Sequence, residues 1–169
     1  MLKINKNNKP VIAMVDGIAT AAGCQLISSC DLAYSSSRAK YATPGVNIGL
    51  FCSTPMVPLS RTVGKKQAME MLLTGDLIDA NKALRIGLIN DVFEEDSLKE
   101  NVFQIAKKIS SKSSNTIKIG KEAFYKQKEM NLEDAYTFTS KVMTENMLHD
   151  DSKEGIDAFL EKREPNWKE

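Results

Sequence analysis

The sequence is poor in the residues that usually mark metal centres and disulfide frameworks. It has one histidine, His149, and three cysteines, none of which form a CxxC pair. No metal site is therefore expected, and His149, in a polar run with two aspartates, fits a solvated helix end. The odd cysteine count fits a reducing, intracellular compartment better than a disulfide framework.

Long apolar runs and an excess of one charge are also missing. No stretch approaches the roughly 20 apolar residues that a membrane span needs, and residues 1–10 lack the apolar core of a secretory signal. The formal net charge is +1, so no surface for nucleic acid is expected. A hydrophobic content of 42% and a charged content of 27% fit a globular protein with a substantial core.

The first half of the chain predicts alternating strands and helices. Residues 9–15 form a short apolar run that predicts a buried strand, and Asp16 with Gly17 predicts a turn after it. A helix is expected from about residue 21 to residue 29, and two further strands are expected near residues 31–34 and 39–42. A strand, a helix and a strand in so short a segment indicate a parallel α/β layer.

The second half predicts mostly helices, over residues 65–74, 98–109, 113–128, 132–148 and 153–162. Asp79 can cap a short helix that ends near Gly87, and residues 88–93 predict a short strand. The aromatic and methionine residues of the last helices fit a core or an interface between subunits. Because so few strands would leave a sheet with open edges, the chain is predicted to be the latter part of a larger α/β domain.

Several motifs of known chemistry are absent. No GxGxxG follows the first strand, no GxSxG is present, and the residues before Lys121 lack the glycine of a phosphate loop. Cys52 has no imidazole partner other than His149, so a cysteine nucleophile is not expected.

The functional candidate that remains is ATAAGCQL, residues 19–26. Its small residues at a strand-to-helix turn expose backbone N–H groups that have no partner within the helix. Such groups suit an anion or a developing oxyanion. The same small residues also permit close packing of the helix on the strand, and composition does not decide between the two interpretations.

Four segments carry a resemblance to a known family: KPVIAMVDGIATAAGCQLISSCDLAY, YATPGVNIGL, VGKKQAMEMLLTGDLIDANKALRIGLINDVF and EGIDAFLEKREPNW. They resemble the crotonase superfamily, the enoyl-CoA hydratase/isomerase family, over about residues 9–168. The resemblance implies an α/β fold, with the C-terminal part of a crotonase-like ββα spiral in residues 9–95 and a helical oligomerisation region in residues 96–169. It also implies an acyl-CoA thioester as the ligand, no cofactor other than the coenzyme A of the substrate, and a homotrimer or hexamer.

The resemblance also assigns residues that bind the ligand. Family members use two backbone N–H groups to polarise the thioester carbonyl, and the second of these corresponds to Ala22, where many members have glycine. Alanine keeps the N–H, so the donor survives if the φ angle of Ala22 is negative. Phe159 and Lys162 match an aromatic and a basic residue that lie near the coenzyme A nucleotide, and Lys162 equally fits an ordinary solvated lysine.

The two acid/base positions depart from the family pattern. Active hydratases carry one glutamate directly after the cysteine and another directly after a proline, where this chain has Gln25 and Gly45. Hydration of a double bond needs a base for the water and an acid for the carbon, and losing one such group typically costs about 10²–10⁴ in rate. The resemblance therefore implies weak hydratase activity. Restoring both glutamates is expected to raise hydration if the scaffold is otherwise intact.

Three functions stay open at this point. The chain is an acyl-CoA-binding protein with weak or altered catalysis, a competent hydratase or isomerase that uses other acid/base residues, or a non-catalytic fragment or subunit of a crotonase-type oligomer. Family members carry a long segment before the strand at residues 9–15, so an N-terminal part of the fold is expected to be missing from this chain. The expected compartment is the mitochondrial matrix if a longer eukaryotic form carries a presequence, and the cytoplasm otherwise.

Overall fold

The computed structural model describes residues 1–168 of the 169-residue chain. They form two compact units. The first comprises Met1–Asn5 and Val11–Ala106, and the second comprises Lys6–Pro10 and the residues from Lys107 onward. One helix, Glu95–Ser110, contains residues of both units. The predicted functional boundary after residue 95 stays a prediction.

The first unit contains two small sheets, whose six strands are β1 (Ile12–Val15), β2 (Ile18–Thr20), β3 (Leu32–Ser36), β4 (Lys40–Ala42), β5 (Ile78–Asp79) and β6 (Asp91–Phe93). Parallel strands form one sheet in the order β1-β3-β6. The other has the order β2-β4-β5, with β2 and β4 parallel and β5 antiparallel to β4. The predicted parallel layer is confirmed, but β2 was not predicted, because it follows the turn at Asp16 and Gly17 directly and has no apolar run of its own.

Helices of the first unit are α1 (Leu2–Asn5), α2 (Ala22–Ser29), α3 (Ser53–Thr62), α4 (Lys65–Thr74) and α5 (Ala80–Arg85), with a 3-10 helix at Pro44–Ile48. The predictions for α2, α4 and α5 are confirmed. Asp79 caps α5 as expected, since its Oδ1 accepts a hydrogen bond from the Lys82 N–H at 2.7 Å. Helix α3 was not predicted, because Pro55 and Pro58 interrupt its sequence; Pro58 lies inside the helix.

The main core of the first unit lies under α2, α3 and α4. Its fully buried members include Cys24, Tyr41, Leu59, Met71 and Leu72. Helix α2 packs on both β2 and α3. This packing holds the beginning of α2 in place, which is the segment that the sequence singled out.

The second unit is helical. It contains the end of α6 (Glu95–Ser110), then α7 (Ser114–Gln127), α8 (Leu132–Met147) and α9 (Asp150–Glu161). All four helices were predicted, with small differences at their ends. Ser113 caps α7 by accepting a hydrogen bond from the Thr116 N–H at 3.0 Å, and its buried hydroxyl donates to Asp151 Oδ2 at 2.5 Å.

The apolar residues of the last helices are largely exposed. Neither α7 nor α8 contains a buried residue, and Phe124, Tyr136 and Met143 are 54%, 68% and 67% exposed. The prediction left a core or an interface open for these side chains. The core interpretation is wrong for these three residues in this chain.

Other general features concern the cysteines, metals and membranes. Cys24, Cys30 and Cys52 form no disulfide. Across residues 1–168, no three His, Cys, Asp or Glu side chains are grouped closely enough to hold a metal ion. No helix in this part of the chain combines the length and the apolar character needed to cross a bilayer.

Candidate active site

The turn between β2 and α2 has an unusual backbone. Ala21 has φ 47° and ψ −109°, a conformation that L-residues rarely adopt. Two hydrogen bonds hold it there: the Ala21 N–H donates to the Ala42 carbonyl at 3.0 Å, and the Ala21 carbonyl accepts from the Gln25 N–H at 2.9 Å. The geometry of the following peptide is thereby fixed at both ends.

Ala22, the first residue of α2, presents its N–H to the surface. Its carbonyl neighbour, that of Ala21, is bound along the helix, and the N–H and C=O of a trans peptide point in opposite directions. Ala22 is exposed, and within residues 1–168 its N–H has no hydrogen-bond acceptor. Only Ala21 and Lys162 among the described non-glycine residues have positive φ, so the φ of Ala22 is negative, as a donor at this position requires.

Close packing does not by itself explain the small residues. A Cβ added to Gly23 would lie 3.6 Å from the Ala19 Cβ, which is an ordinary van der Waals distance. A larger residue than glycine would therefore fit at position 23. The N–H of Ala22 is therefore a better explanation of the small residues than close packing is.

Gln25 lies one turn into α2 and is half-buried, between the buried Cys24 and the exposed Leu26. Its carbonyl accepts a hydrogen bond from the Ser29 hydroxyl at 2.7 Å, which secures the short helix. An amide side chain donates and accepts hydrogen bonds but does not exchange a proton usefully near neutral pH.

Gly45 is buried in the 3-10 helix Pro44–Ile48 that follows β4. Its N–H donates to Cys52 Sγ at 3.3 Å, and its carbonyl accepts from the Leu50 N–H at 2.9 Å. The segment between residues 45 and 52 is thus folded back on Gly45. Leu50 and Cys52 are residues that the sequence analysis did not connect with this position.

The sheet brings the two candidate segments to one edge. Strands β2 and β4 are parallel neighbours, with Thr20 opposite Ala42. The carboxyl ends of parallel strands meet at the same edge, so α2 and the Pro44–Ile48 helix both begin there. The hydrogen bond from Ala21 to Ala42 joins the two segments directly.

Two protonatable groups of the core, Cys24 and Tyr41, stay in their neutral form at neutral pH. Burial raises the pKa of the Cys24 thiol to about 11, and burial likewise raises the pKa of Tyr41. The Tyr41 hydroxyl donates to Ser35 Oγ at 2.7 Å. Neither group can act as a base near pH 7.

The predicted coenzyme A residues lie in the second unit, near the end of α9. Phe159 is 82% exposed and lines an open apolar cavity of about 720 Å³ together with Ile117, Ile156, Leu160 and Trp167. Lys162 is exposed and ends α9 in the left-handed conformation, with φ 55° and ψ 40°. The coenzyme A roles of Phe159 and Lys162 stay predictions.

Two other polar residues, His149 and Glu70, contact polar side chains. His149 is exposed at the start of α9, with Nδ1 3.2 Å from the Asn115 amide nitrogen. Glu70 forms an ion pair with Lys82 at 2.9 Å. Each of these side chains thus has a polar partner within its own unit.

Comparison of the whole chain with known proteins decides the family. The model of the enoyl-CoA hydratase/isomerase family matches residues 1–169. The chain belongs to this family. This confirms both the resemblance of the four segments and the predicted crotonase-like α/β fold.

Solved structures of the family superpose closely on the chain. The crystal structure of enoyl-CoA hydratase from Mycobacterium smegmatis has a TM-score of 0.96 and 46% identity, and covers 98% of this chain and 65% of its own. The crystal structure of human enoyl coenzyme A hydratase domain-containing protein 3 has a TM-score of 0.95 and 51% identity, and covers 98% of this chain and 66% of its own.

Curated relatives include the same domain-containing protein 3, mitochondrial, of Rattus norvegicus, which is 51% identical over 167 residues, 99% of this chain and 56% of that protein. Enoyl-CoA hydratase, mitochondrial, of Pongo abelii is 39% identical over 95% of this chain. The chain thus spans just over half the length of these members of the enoyl-CoA hydratase/isomerase family. The expectation that an N-terminal part of the fold lies elsewhere stays a prediction.

Proposed function

We propose that this chain is an acyl-CoA-binding member of the crotonase family whose hydratase activity is very weak. The observation that carries the proposal is the N–H of the exposed residue Ala22, which has no hydrogen-bond acceptor within residues 1–168. It lies at the beginning of α2, in a segment with no acid or base at either family position. Enzymes of the enoyl-CoA hydratase/isomerase family act on acyl-CoA thioesters, and this chain belongs to that family.

Ala22 supplies the binding half of this chemistry. Its N–H lies at the positive end of the α2 dipole and suits the carbonyl oxygen of a thioester, where negative charge develops when the adjacent carbon loses a proton. Ala21, held by Ala42 and Gln25, keeps this donor in one orientation. A donor fixed in advance costs no reorganisation when the charge appears.

Gln25 and Gly45 supply no acid or base for the proton transfers of hydration. Gln25 can hydrogen-bond to a ligand or a water, but its amide cannot serve as a base, and Gly45 has no side chain. Each missing acid/base group typically costs about 10²–10⁴ in rate. Cys24 and Tyr41 keep their protons, so neither of them replaces the missing carboxylates.

The proposal also covers the coenzyme A part of the ligand and the compartment of the protein. Phe159 and Lys162 are proposed to contact the coenzyme A moiety, an aromatic face for the adenine and a positive charge for phosphate. No other cofactor is proposed. Relatives named as mitochondrial proteins favour the mitochondrial matrix.

The test measures binding and turnover on one preparation. Calorimetric titration with butyryl-CoA is expected to show binding, while loss of the enoyl absorbance of crotonyl-CoA is expected to run at least about 100-fold slower than in an ordinary family hydratase. An Ala22→Pro variant, which removes the N–H, should bind the thioester more weakly. Coenzyme A alone is the control ligand, because it lacks the thioester carbonyl. Turnover near the ordinary level would establish the competent-hydratase alternative and sink the proposal.

A second candidate is a non-catalytic subunit that joins crotonase-type oligomers, and the exposed apolar residues of the second unit favour it. Leu132, Leu148 and Leu160 are 76%, 82% and 71% exposed. Native mass spectrometry that shows a trimer or hexamer, together with no measurable butyryl-CoA binding, would select this function over the first.

A further inference from the structure

We infer that the proposed thioester site has room for one acid/base side chain and not for two: position 45 is closed by main chain, whereas position 25 is open to a carboxylate. The inference rests on the proposed function, since it concerns the same site. It changes the expectation that restoring both glutamates would restore hydration.

Gly45 is closed because other atoms occupy the place of a side chain. A Cβ built on Gly45 would overlap the Leu50 carbonyl oxygen and would lie 2.9 Å from Cys52 Sγ and 3.2 Å from the Leu50 carbonyl carbon. Contacts under about 3 Å are not found for real Cβ atoms at normal packing. The obstacle is mainly backbone, which cannot rotate aside as a flexible side chain does.

Three further contacts hold the segment in place. Leu50 is tied to Gly45 by its own N–H, and Cys52 by the Gly45 N–H. On the other side, the glycine that ends α4 packs against the same 3-10 helix: a Cβ on Gly75 would lie 3.1 Å from both Asn47 side-chain heteroatoms and from Pro44 Cα. The segment that carries Gly45 is therefore clamped between residues 50–52 and Gly75.

Gln25 has none of these obstacles. It already carries a side chain of the same length and shape as glutamate, and it is half-buried rather than enclosed. A Gln25→Glu substitution therefore adds a carboxylate three positions after Ala22, on the same face of α2, without displacing any backbone.

A single carboxylate beside an oxyanion donor supports proton exchange, not hydration. The carboxylate at position 25 takes a proton from the carbon next to the thioester carbonyl. The C–H electron pair forms the C=C bond of the enolate, and the π electrons of the carbonyl move to its oxygen, which the Ala22 N–H stabilises. In D₂O the resulting acid exchanges its proton and returns a deuteron to the carbon. Nothing is consumed, whereas hydration needs a second group to activate water.

The closure of position 45 is tested by thermal unfolding. Gly45→Ala is expected to lower the melting temperature by about 5–10 °C, since an added side chain in filled space forces the surrounding main chain out of its packed position. Gly120→Ala is the matched control, because an added Cβ there meets nothing within 4 Å; its melting temperature should be equal or higher. A Gly45→Ala protein that melts with the wild type would overturn the inference.

The open position is tested by mass spectrometry of butyryl-CoA incubated in D₂O. Gln25→Glu is expected to raise deuterium uptake at least about tenfold over the wild type, with Gln25→Leu as the control. A Gln25→Glu protein that binds butyryl-CoA without added exchange would overturn the inference, as would rapid hydration by Gln25→Glu combined with Gly45→Glu.

Failure of the proposed function gives a different result. If wild-type protein does not bind butyryl-CoA, the proposed function is overturned and the exchange reaction with it. The melting comparison of Gly45→Ala with Gly120→Ala then still decides whether position 45 is closed.

Discussion

Arg163 binds Glu154 with two nitrogens, at 2.6 Å to Oε1 and 3.0 Å to Oε2. Glu154 also accepts the Asn166 N–H at 2.7 Å, so one carboxylate holds two points of the segment that follows α9. The next residue is Trp167, the single tryptophan of the chain. Its indole N–H donates to the Ser111 carbonyl at 2.8 Å.

Glu154→Gln is therefore expected to loosen this segment. The neutral amide keeps the shape of the carboxylate but removes the charge that orients Arg163. The fluorescence of Trp167 should shift to the red as the indole becomes more solvated. Glu161→Gln serves as the control, because Glu161 makes one contact with Arg163 and is more exposed. Equal spectra for the two variants would contradict the prediction.

Acid should loosen the same segment in the wild type. Hydrogen bonds from Arg163, and then from the Asn166 backbone, lower the pKa of Glu154 from 4.5 to about 2. A carboxylate with a depressed folded pKa stabilises the fold above its unfolded pKa and loses that contribution as the pH falls through the folded value. The Trp167 emission should therefore change between about pH 4.5 and pH 2. Glu154→Gln should lack this transition, and its persistence there would assign it to another group.

Ala21→Gly is expected to stabilise the protein. Alanine in the observed conformation costs about 1–3 kcal/mol, and glycine removes most of this strain while adding some freedom to the unfolded chain. The net gain should be about 1 kcal/mol, or about 2–4 °C in melting temperature. Ala22→Gly, at a helical position with negative φ, should instead lose stability. A lower melting temperature for Ala21→Gly would show that Ala21 is not strained.

Lys162→Gly should separate stability from binding. Glycine suits the left-handed position that ends α9 and should gain about 0.5–1 kcal/mol. The loss of the positive charge should weaken coenzyme A binding about twofold to fivefold if the proposed role is right. Lys162→Ala removes the same charge without the backbone gain, so it should show the weaker binding alone. Unchanged affinity in both variants would mark Lys162 as a solvated lysine.

Cys24 should resist alkylation in the native protein. It is fully buried, and burial holds its thiol pKa at about 11, so little thiolate exists near pH 7. Brief treatment with iodoacetamide, followed by peptide mass spectrometry, should label the partly exposed Cys30 before Cys24. The same treatment in denaturant should label both. Rapid labelling of Cys24 under native conditions would show that the core under α2 opens readily.

The elements with a clear period or cap were predictable from the sequence. Apolar spacing predicts α4 and α6–α9, and the small residues before Cys24 predict the exposed beginning of α2. These signals are local, because a helix or a cap involves residues only a few positions apart. The family resemblance extended them to the acid/base positions Gln25 and Gly45.

Contacts between residues that are far apart in the sequence were not predictable. Strand β2 lies between a predicted turn and the beginning of α2 and has no apolar run of its own, and the two prolines of α3 conceal a helix. The closure of Gly45 depends on Leu50 and Cys52 folding back and on Gly75 packing from another helix. Nothing in the residue types at these positions indicates that they meet. A sequence comparison shows only that glycine replaces glutamate at position 45. The packing shows in addition that no side chain fits there.

The parallel pairing of β2 with β4 also fixes the distance between the two candidate segments. Ala22 follows one strand and Pro44–Gly45 follows its neighbour, so their separation is tied to the strand spacing of about 4.8 Å and not to the length of a loop. A slip of one residue between Thr20 and Ala42 would turn every side chain of one strand to its opposite face. A change in the length of a loop at this edge therefore leaves the distance between β2 and β4 unchanged.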